Sequence, residues 1–297
     1  MKKIIIPFAL ILLLGSSCST RYPYSSVETF FKDPRQAALT RAAVQGYTKG
    51  IDSQLAKGAN VNYIGEHGMT ALMWSLIYGN RSGFEHLLKL GANPNIPLEG
   101  SIYYEGRFRG HSVTSLAVRV KDTWFLETAL KYGGDPNFIN EITGYPLIWG
   151  CVGFKVDGYP DNIDRLNILI KYHVNLNNRT DVGVTLMQSA ASFNRYDMIY
   201  IMLQAGADPT QNSYALIREM NKTATPEDTD LYQWRIKVVK LLQEKGIIPA
   251  GDNRLYQNEW LRKRRESGKP DKAAPWEGIA EWGKRKPEPS IQDLLIP

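Results

Sequence analysis

Apolar residues recur at helical spacing on both sides of Gly79-Asn80, which predicts two short helices joined by a tight turn. Spacings of three and four residues place such side chains on one face of a helix. The residues that follow this pattern are Leu72, Leu76, Phe84, Leu87 and Leu88. Gly91 then ends the second helix, and Asn93-Pro94-Asn95 is typical of a turn. The stretch Gly68–Asn95 therefore predicts a helix-turn-helix unit.

The ending of this unit recurs along the chain. Similar endings, each a Gly or His followed by small, Asn or Asp residues, begin at Gly58, Gly133, His173 and Gly206. Gly58 and Gly91 are 33 residues apart, and so are His173 and Gly206. The two intervals between Gly91 and His173 are 42 and 40 residues, so these units carry insertions. A period near 33 indicates a repeat protein, in which each unit buries its apolar face on its neighbours.

Two motifs resemble the ankyrin repeat. Thr70-Ala71-Leu72-Met73-Trp74-Ser75 is similar to the signature Thr-Pro-Leu-His-x-Ala, without its Pro and His. Leu87–Asn95 matches the signature Leu-Leu-x-x-Gly-Ala-(Asp/Asn)-x-Asn. The resemblance implies an all-α solenoid of about five to six helix-turn-helix units. The sixth and weakest unit would run through Ser213–Met220 and Trp234–Gly246.

In ankyrin repeats, the first helices and the turns between units form the concave binding surface. Alignment on the turn glycines places Arg41, Trp74 and Trp149 at solvent-facing first-helix positions, and Tyr78 and Phe193 four residues further along their helices. Exposed aromatic side chains are the usual anchors of protein interfaces. The alternative is that Trp74 and Trp149 pack against a neighbouring insertion of the same chain.

Both insertions add candidate contact residues. Ile96–Gly110 has the pattern of a strand, a turn and a strand, which predicts a projecting hairpin. Gly153–Asn162 lengthens the loop within the fourth repeat. Insertions in repeat proteins often lie on the binding face, although exposed decoration without function is the alternative. The candidate residues of the two insertions are Tyr103, Tyr104, Arg107, Phe108, Arg109 and Phe154.

The N-terminus predicts a targeting segment. Lys2-Lys3 precede the apolar run Ile4–Leu14, which is too short to span a bilayer. Leu14–Cys18 resembles a bacterial lipobox, with Gly15 where Leu is preferred. The resemblance implies acylation of Cys18 and a lipid-anchored, periplasm-facing chain. Ser19 after that cysteine favours the outer membrane of the bacterial envelope. An ordinary secretory signal is the alternative.

The remaining composition divides the chain into four parts. Residues 1–17 are the predicted signal peptide, 18–35 a tether that ends by packing on the first repeat, 36–249 the ankyrin-repeat domain and 250–297 a charged extension with three Trp residues. The formal net charge is +6, and +4 without Lys2 and Lys3, which does not argue for a nucleic-acid partner. The basic run Arg262–Arg265 fits a solvated helix face better than a lipid-headgroup patch.

The sequence predicts no catalytic residue, metal site or cofactor. The four histidines lack metal-ligand spacing, and no glycine-rich phosphate loop occurs. Gly110-His111-Ser112 starts like a nucleophile elbow, but Thr114 stands in place of its second glycine. With Cys18 acylated, Cys151 has no disulfide partner and is expected to be a small buried residue.

A lipobox followed by ankyrin repeats resembles the immunity lipoproteins encoded beside phospholipase effectors of type VI secretion systems. The resemblance implies that this chain binds a lipase-type toxin and blocks it sterically, without being an enzyme. The alternative is a general envelope scaffold that binds a resident periplasmic protein. The sequence leaves the oligomeric state open.

Overall fold

The computed structural model describes residues 27–99, 108–152, 162–222, 229–249 and 266–268. Regular structure in these ranges is helical, apart from the isolated β-bridges Ile139–Pro146 and Arg179–Thr185. The prediction of an all-α fold built from helix pairs is confirmed. The predicted signal peptide and Cys18 lie outside the described residues, as do most of the tether and of the C-terminal extension.

The described helices fall into two compact units, Met1–Cys151 with Lys155–Val174, and Val152–Phe154 with Asn175–Pro297. Unit one contains α1 Val27–Phe30, α2 Pro34–Gln45, α3 Thr48–Ala56, α4 Ala71–Ile77, α5 Arg81–Lys89, α6 Val113–Ala117, α7 Trp124–Lys131 and α8 Asn162–Lys171. It also holds short 3₁₀ segments at Glu66–Gly68 and Leu147–Cys151. Unit two contains α9 Leu186–Ser192, α10 Tyr196–Gln204, α11 Ser213–Lys222 and α12 Asp230–Glu244.

The signature residues fix where the helices begin and end. The hydroxyl of Thr70 accepts a hydrogen bond from the backbone N–H of Met73 at 3.1 Å, which caps the start of α4. Thr185 caps α9 in the same way. At the helix ends, the repeat glycines take φ values of 86° to 91°, where a side chain would be strained. His173 adopts φ 60° at the equivalent place, as its alignment predicted.

Stacked helix pairs form the core of unit one. Leu39, Ile51, Leu72 and Leu87 are almost completely buried where α2, α3, α4 and α5 meet. The close approach of α5 to α2 requires Gly83, because a Cβ there would collide with the backbone carbonyl of Ala43. Each pair thus buries its apolar face on the next, as expected for a repeat protein.

The asparagine that closes the turn signature ties successive repeats together. In unit one, the Asn62 side chain donates to the carbonyl of Gly91 at 2.9 Å and accepts from the N–H of Asn93 at 2.7 Å. Asn95 repeats this arrangement one unit later, with Gly133 and the N–H of Asp135, both at 2.8 Å. The repeat stack therefore has polar crosslinks between turns as well as an apolar core.

The core of unit two lies between α9, α10, α11 and α12. Tyr196 is fully buried on α10, and its hydroxyl donates to the carbonyl of Met220 at 3.3 Å. Val238 and Leu242 are buried on α12, which packs against α10. Both segments assigned to the weaker sixth repeat are therefore helical, and α12 supplies its second helix.

Candidate protein-binding surface

On the first-helix face of repeats one and two, Trp74 is buried, although it was predicted to face solvent. This face is formed by Arg41 on α2 with Trp74 and Tyr78 on and after α4. Arg41 is exposed and Tyr78 is 44% exposed, as expected. Trp74 is only 3% exposed, so its prediction as a solvent-facing residue was wrong.

Helix α1 is what covers Trp74. The Phe30 ring meets the Trp74 indole edge to face, with centroids 5.6 Å apart, and Glu28 forms an ion pair with Arg41. These residues belong to the predicted tether, which was expected to pack on the first repeat, whereas the cover expected for a buried Trp74 was an insertion. Tyr78 packs on the other side, 5.3 Å from the Trp74 ring. Partial burial there raises the pKa of the Tyr78 hydroxyl.

The fourth repeat places Trp149 on the short 3₁₀ segment Leu147–Cys151 instead of a full helix. Trp149 is half-buried, and its ring lies 5.8 Å from Tyr145, edge to face. The indole nitrogen is buried and has no hydrogen-bond acceptor among the described residues. In unit two, Phe193 is half-buried at the end of α9.

The two ends of the first insertion are joined by backbone hydrogen bonds. Leu98 donates to the carbonyl of His111 at 3.0 Å and accepts from the N–H of Gly110 at 2.7 Å. Phe108 is half-buried, whereas Arg109 is exposed and donates to the carbonyl of Glu99 at 2.9 Å. The predicted hairpin strands lie mostly outside the described residues. The candidates that also lie outside them are Tyr103, Tyr104, Arg107 and Phe154.

Exposed apolar residues in the turns before two first helices were missed by the sequence analysis. Ile139, Ile142 and Tyr145 are each about half exposed in unit one. Val182 is 77% exposed in the corresponding turn of unit two. Ile142 lies between Glu141 and Thr143, and Val182 lies between Asp181 and Gly183, so each is an apolar residue inside a polar turn sequence. That local contrast was the signal available in the sequence.

The turn that carries Ile142 is held rigidly by a buried asparagine. The Asn140 side-chain oxygen accepts from the N–H groups of Ile142 at 2.9 Å and Thr143 at 3.2 Å. Its amide donates to the carbonyl of Arg109 at 3.0 Å. The exposed side chains are therefore presented on a preorganised backbone, which lowers the entropy cost of binding a partner.

The polar residues that resembled catalytic groups serve structural roles. Ser112 and Ser115 form a reciprocal capping box at the start of α6, and His111 contacts Ser115 at 3.1 Å. Burial and the nearby Arg119 lower the pKa of His111 to about 4. Cys151 is fully buried, as predicted, and burial raises the pKa of its thiol to about 12.

The described residues contain no group of three His, Cys, Asp or Glu side chains arranged to hold a metal ion. No helix in these ranges has the length and apolar character needed to cross a bilayer.

Comparison with known proteins identifies the repeat. The ankyrin-repeat family profile matches residues 67–97, which run from the 3₁₀ segment Glu66–Gly68 through α4 and α5 to the following turn. The chain contains an ankyrin repeat. It is also 27% identical over 168 residues to a mitochondrial disaggregase of Bos taurus, a match that covers 55% of this chain and 23% of the relative. Ankyrin repeats mediate protein–protein interactions, so this region is a protein-binding module.

Proposed function

We propose that this chain is an envelope-anchored, periplasm-facing binding protein that captures a toxic secreted effector of phospholipase type and blocks it sterically. The observation that carries the binding role is the preorganised turn of unit one with its exposed Ile139, Ile142 and Tyr145. A rigid backbone that presents half-exposed apolar and aromatic side chains is a typical protein-interface anchor.

Inhibition by coverage requires no chemistry from the inhibitor. The side chains around the turn only have to exclude phospholipid from the mouth of the effector's active site. Trp149 lies next to Tyr145, with ring centroids 5.8 Å apart, and adds half-buried aromatic surface beside the turn.

The proposed location rests on the N-terminal sequence. The lipobox-like Leu14–Cys18 supplies an acyl acceptor, and several acyl chains hold a protein to a membrane far longer than one. Anchoring would keep the inhibitor at the bilayer that a phospholipase attacks. The type of effector follows from the resemblance of this combination to immunity lipoproteins of type VI secretion systems.

The decisive experiment is a pull-down from envelope extract with the chain from Ser19 onward, followed by mass spectrometry. Ile142→Asp and Tyr145→Ala together form the test variant, since both side chains are exposed and the turn hydrogen bonds use backbone groups. Lys89→Ala, an exposed substitution on α5, is the matched control.

The expected result is one stoichiometric secreted lipase that the control retains and the test variant loses, and whose activity falls on binding. A resident periplasmic protein captured through the same turn would replace the effector role with that of an envelope scaffold. Equal capture by the test variant and the control would overturn the assignment of the binding surface.

A further inference from the structure

The described ends of the first insertion form a compact base within unit one. This insertion base, residues 96–99 and 108–111, is closed by the backbone hydrogen bonds of Leu98. On one side, the N–H of Glu99 donates to the carbonyl of His67 in the preceding turn at 3.1 Å. The insertion base is therefore attached to the repeat before it.

On the other side, one buried side chain fastens the insertion base to the turn of residues 139–146. Asn140 is 1% exposed, and its side-chain amide donates to the carbonyl of Arg109 at 3.0 Å. Its side-chain oxygen accepts from the N–H groups of Ile142 and Thr143. Because each end of this side chain serves a different segment, Asn140 sets where the insertion base lies relative to the turn.

The contact also needs a glycine in the insertion base. A Cβ at Gly110 would lie 2.4 Å from the side-chain oxygen of Asn140. Gly110 has φ 76°, a backbone conformation that favours glycine. The buried amide has partners at both ends, and an unmade hydrogen bond at such a group is costly. The two segments are therefore held in one arrangement.

A single turn is too small for a stable protein interface. Specific interfaces take about 800 Å² and about 20–30 residues from each partner. The turn of residues 139–146 supplies far fewer, although Ile142 and Tyr145 are about half exposed. The insertion base lies beside this turn and adds the exposed side chains of Pro97 and Arg109. A partner that binds the turn therefore has further surface within reach in a fixed position.

We propose that the protein partner binds the turn of residues 139–146 and the insertion base as one surface, and that Asn140 is the positioning residue that holds the two in register. The inference rests on the proposed function in taking this turn as a protein-binding surface. Asn140 is buried and acts through the residues that it places. A surface held in one geometry loses less conformational entropy on binding than two independent loops.

Asn140→Asp separates the insertion base from the turn. A carboxylate oxygen still accepts from the N–H groups of Ile142 and Thr143, which keeps the turn. The oxygen that replaces the amide nitrogen has no proton to donate and repels the carbonyl of Arg109. In this variant, the N–H groups of Ile142 and Thr143 should remain slow to exchange with deuterium.

A second variant attacks the same contact, and both variants have a matched control. Asn93→Asp controls for charge, because Asp135 makes with its carboxylate the turn bond that Asn93 makes one repeat earlier. Gly110→Ala places a Cβ against Asn140 from the side of the insertion base. Gly91→Ala is its control, since Gly91 has φ 87° but open space around a Cβ among the described residues.

The test is photo-crosslinking of the purified full chain in envelope extract, with benzoylphenylalanine placed at Ile142 in one preparation and at Arg109 in another. Both positions are exposed. The same protein, identified by mass spectrometry, should be crosslinked from both. In Asn140→Asp and Gly110→Ala, the yield from position 109 relative to position 142 should fall at least fivefold, and in both controls it should stay unchanged. A general loss of folded protein lowers both yields equally, so this ratio reports the register.

The negative outcomes are distinct from a failure of the proposed function. A crosslink from Ile142 without one from Arg109, or different proteins from the two, would overturn the inference and leave the turn as the binding surface. An unchanged ratio in both test variants would remove the positioning role of Asn140 and overturn it as well. No crosslink from either position would overturn the inference together with the proposed surface.

The remaining outcomes concern the identity of the partner and the folding of the variants. A common protein that is not a lipase would support this inference while the effector role fails. If Asn140→Asp does not give a folded chain by circular dichroism, the ratio in Gly110→Ala decides the outcome by the same criterion.

Discussion

Replacing Trp74 with alanine should destabilise the fold, because this residue is buried between α1 and the end of α4. Its side chain is 3% exposed and contacts the rings of Phe30 at 5.6 Å and Tyr78 at 5.3 Å. Truncation of a buried Trp typically costs about 3–5 kcal/mol. We expect about 3 kcal/mol, the low end, because part of the cover is the short α1, which can shift toward the space that is left.

A double-mutant cycle isolates the contribution of α1. Trp74→Ala, Phe30→Ala and the double variant are unfolded with urea, and the free energies of unfolding are compared. The edge-to-face pair contributes about 0.5–1.5 kcal/mol beyond its buried area, so we expect a coupling energy of about 1 kcal/mol between the two substitutions. The two losses should therefore add to more than the loss in the double variant.

Tyr78→Ala is the internal control for this experiment. Tyr78 touches the same indole but is 44% exposed, so its truncation should cost about 1 kcal/mol. A loss below about 1 kcal/mol for Trp74→Ala, or no coupling to Phe30→Ala, would refute the argument that α1 and Trp74 form one buried cluster. Native domains have only about 5–15 kcal/mol of stability, so the expected effect is easily measured.

Four further predictions test the crosslinks, the turns, the buried thiol and the anchor. Asn95→Ala leaves the Gly133 carbonyl and the Asp135 N–H without their side-chain partner, so it should lower the free energy of unfolding in urea by about 2 kcal/mol. Asn167→Ala, an exposed control, should lower it by less than about 0.5 kcal/mol. His173→Gly relieves a non-glycine residue at φ 60° and should stabilise the chain by about 0.5–1 kcal/mol, and a loss of stability would contradict this reasoning. Burial raises the pKa of the Cys151 thiol from 9.0 to about 12, so the unfolded chain loses this proton at lower pH than the folded chain does. The free energy of unfolding should therefore fall as pH rises above about 9, and Cys151→Ala should flatten that part of the stability–pH profile. Cys18→Ser should move the chain from the membrane to the soluble fraction on cell fractionation and abolish labelling with radioactive palmitate, and unchanged labelling would exclude acylation at this residue.

Local chemistry explains why the repeat could be predicted from the sequence. Helix-period apolar residues, a capping threonine and a turn glycine act within a few residues of one another. Thr70 caps α4, and Gly91 takes positive φ, as their positions in the signature indicate. Even His173 could be placed in the left-handed region, because its neighbours match the glycine-containing endings. The helix pairs follow from these local preferences alone.

The candidate surface depended on contacts between distant parts of the chain. The alignment placed Arg41 and Trp74 on first helices, where the structure has them, but whether a side chain at such a position meets water depends on what packs above it. Phe30 and Trp74 are 44 positions apart, and the segment that holds Phe30 has no repeat pattern to reveal its docking site. The turn residue Ile142 was missed for a related reason, since periodicity describes helices and says nothing of apolar residues at turns.

The unit, its period and the ends of its helices could be read from the sequence, because each depends on interactions between near neighbours. Which surface residues stay accessible could not, because burial depends on the whole set of packed elements. Those elements cover Trp74 with α1, leave Tyr78 at the edge and hold Ile142 outward on a turn fixed by Asn140. Those long-range contacts convert a repeat pattern into a particular binding surface.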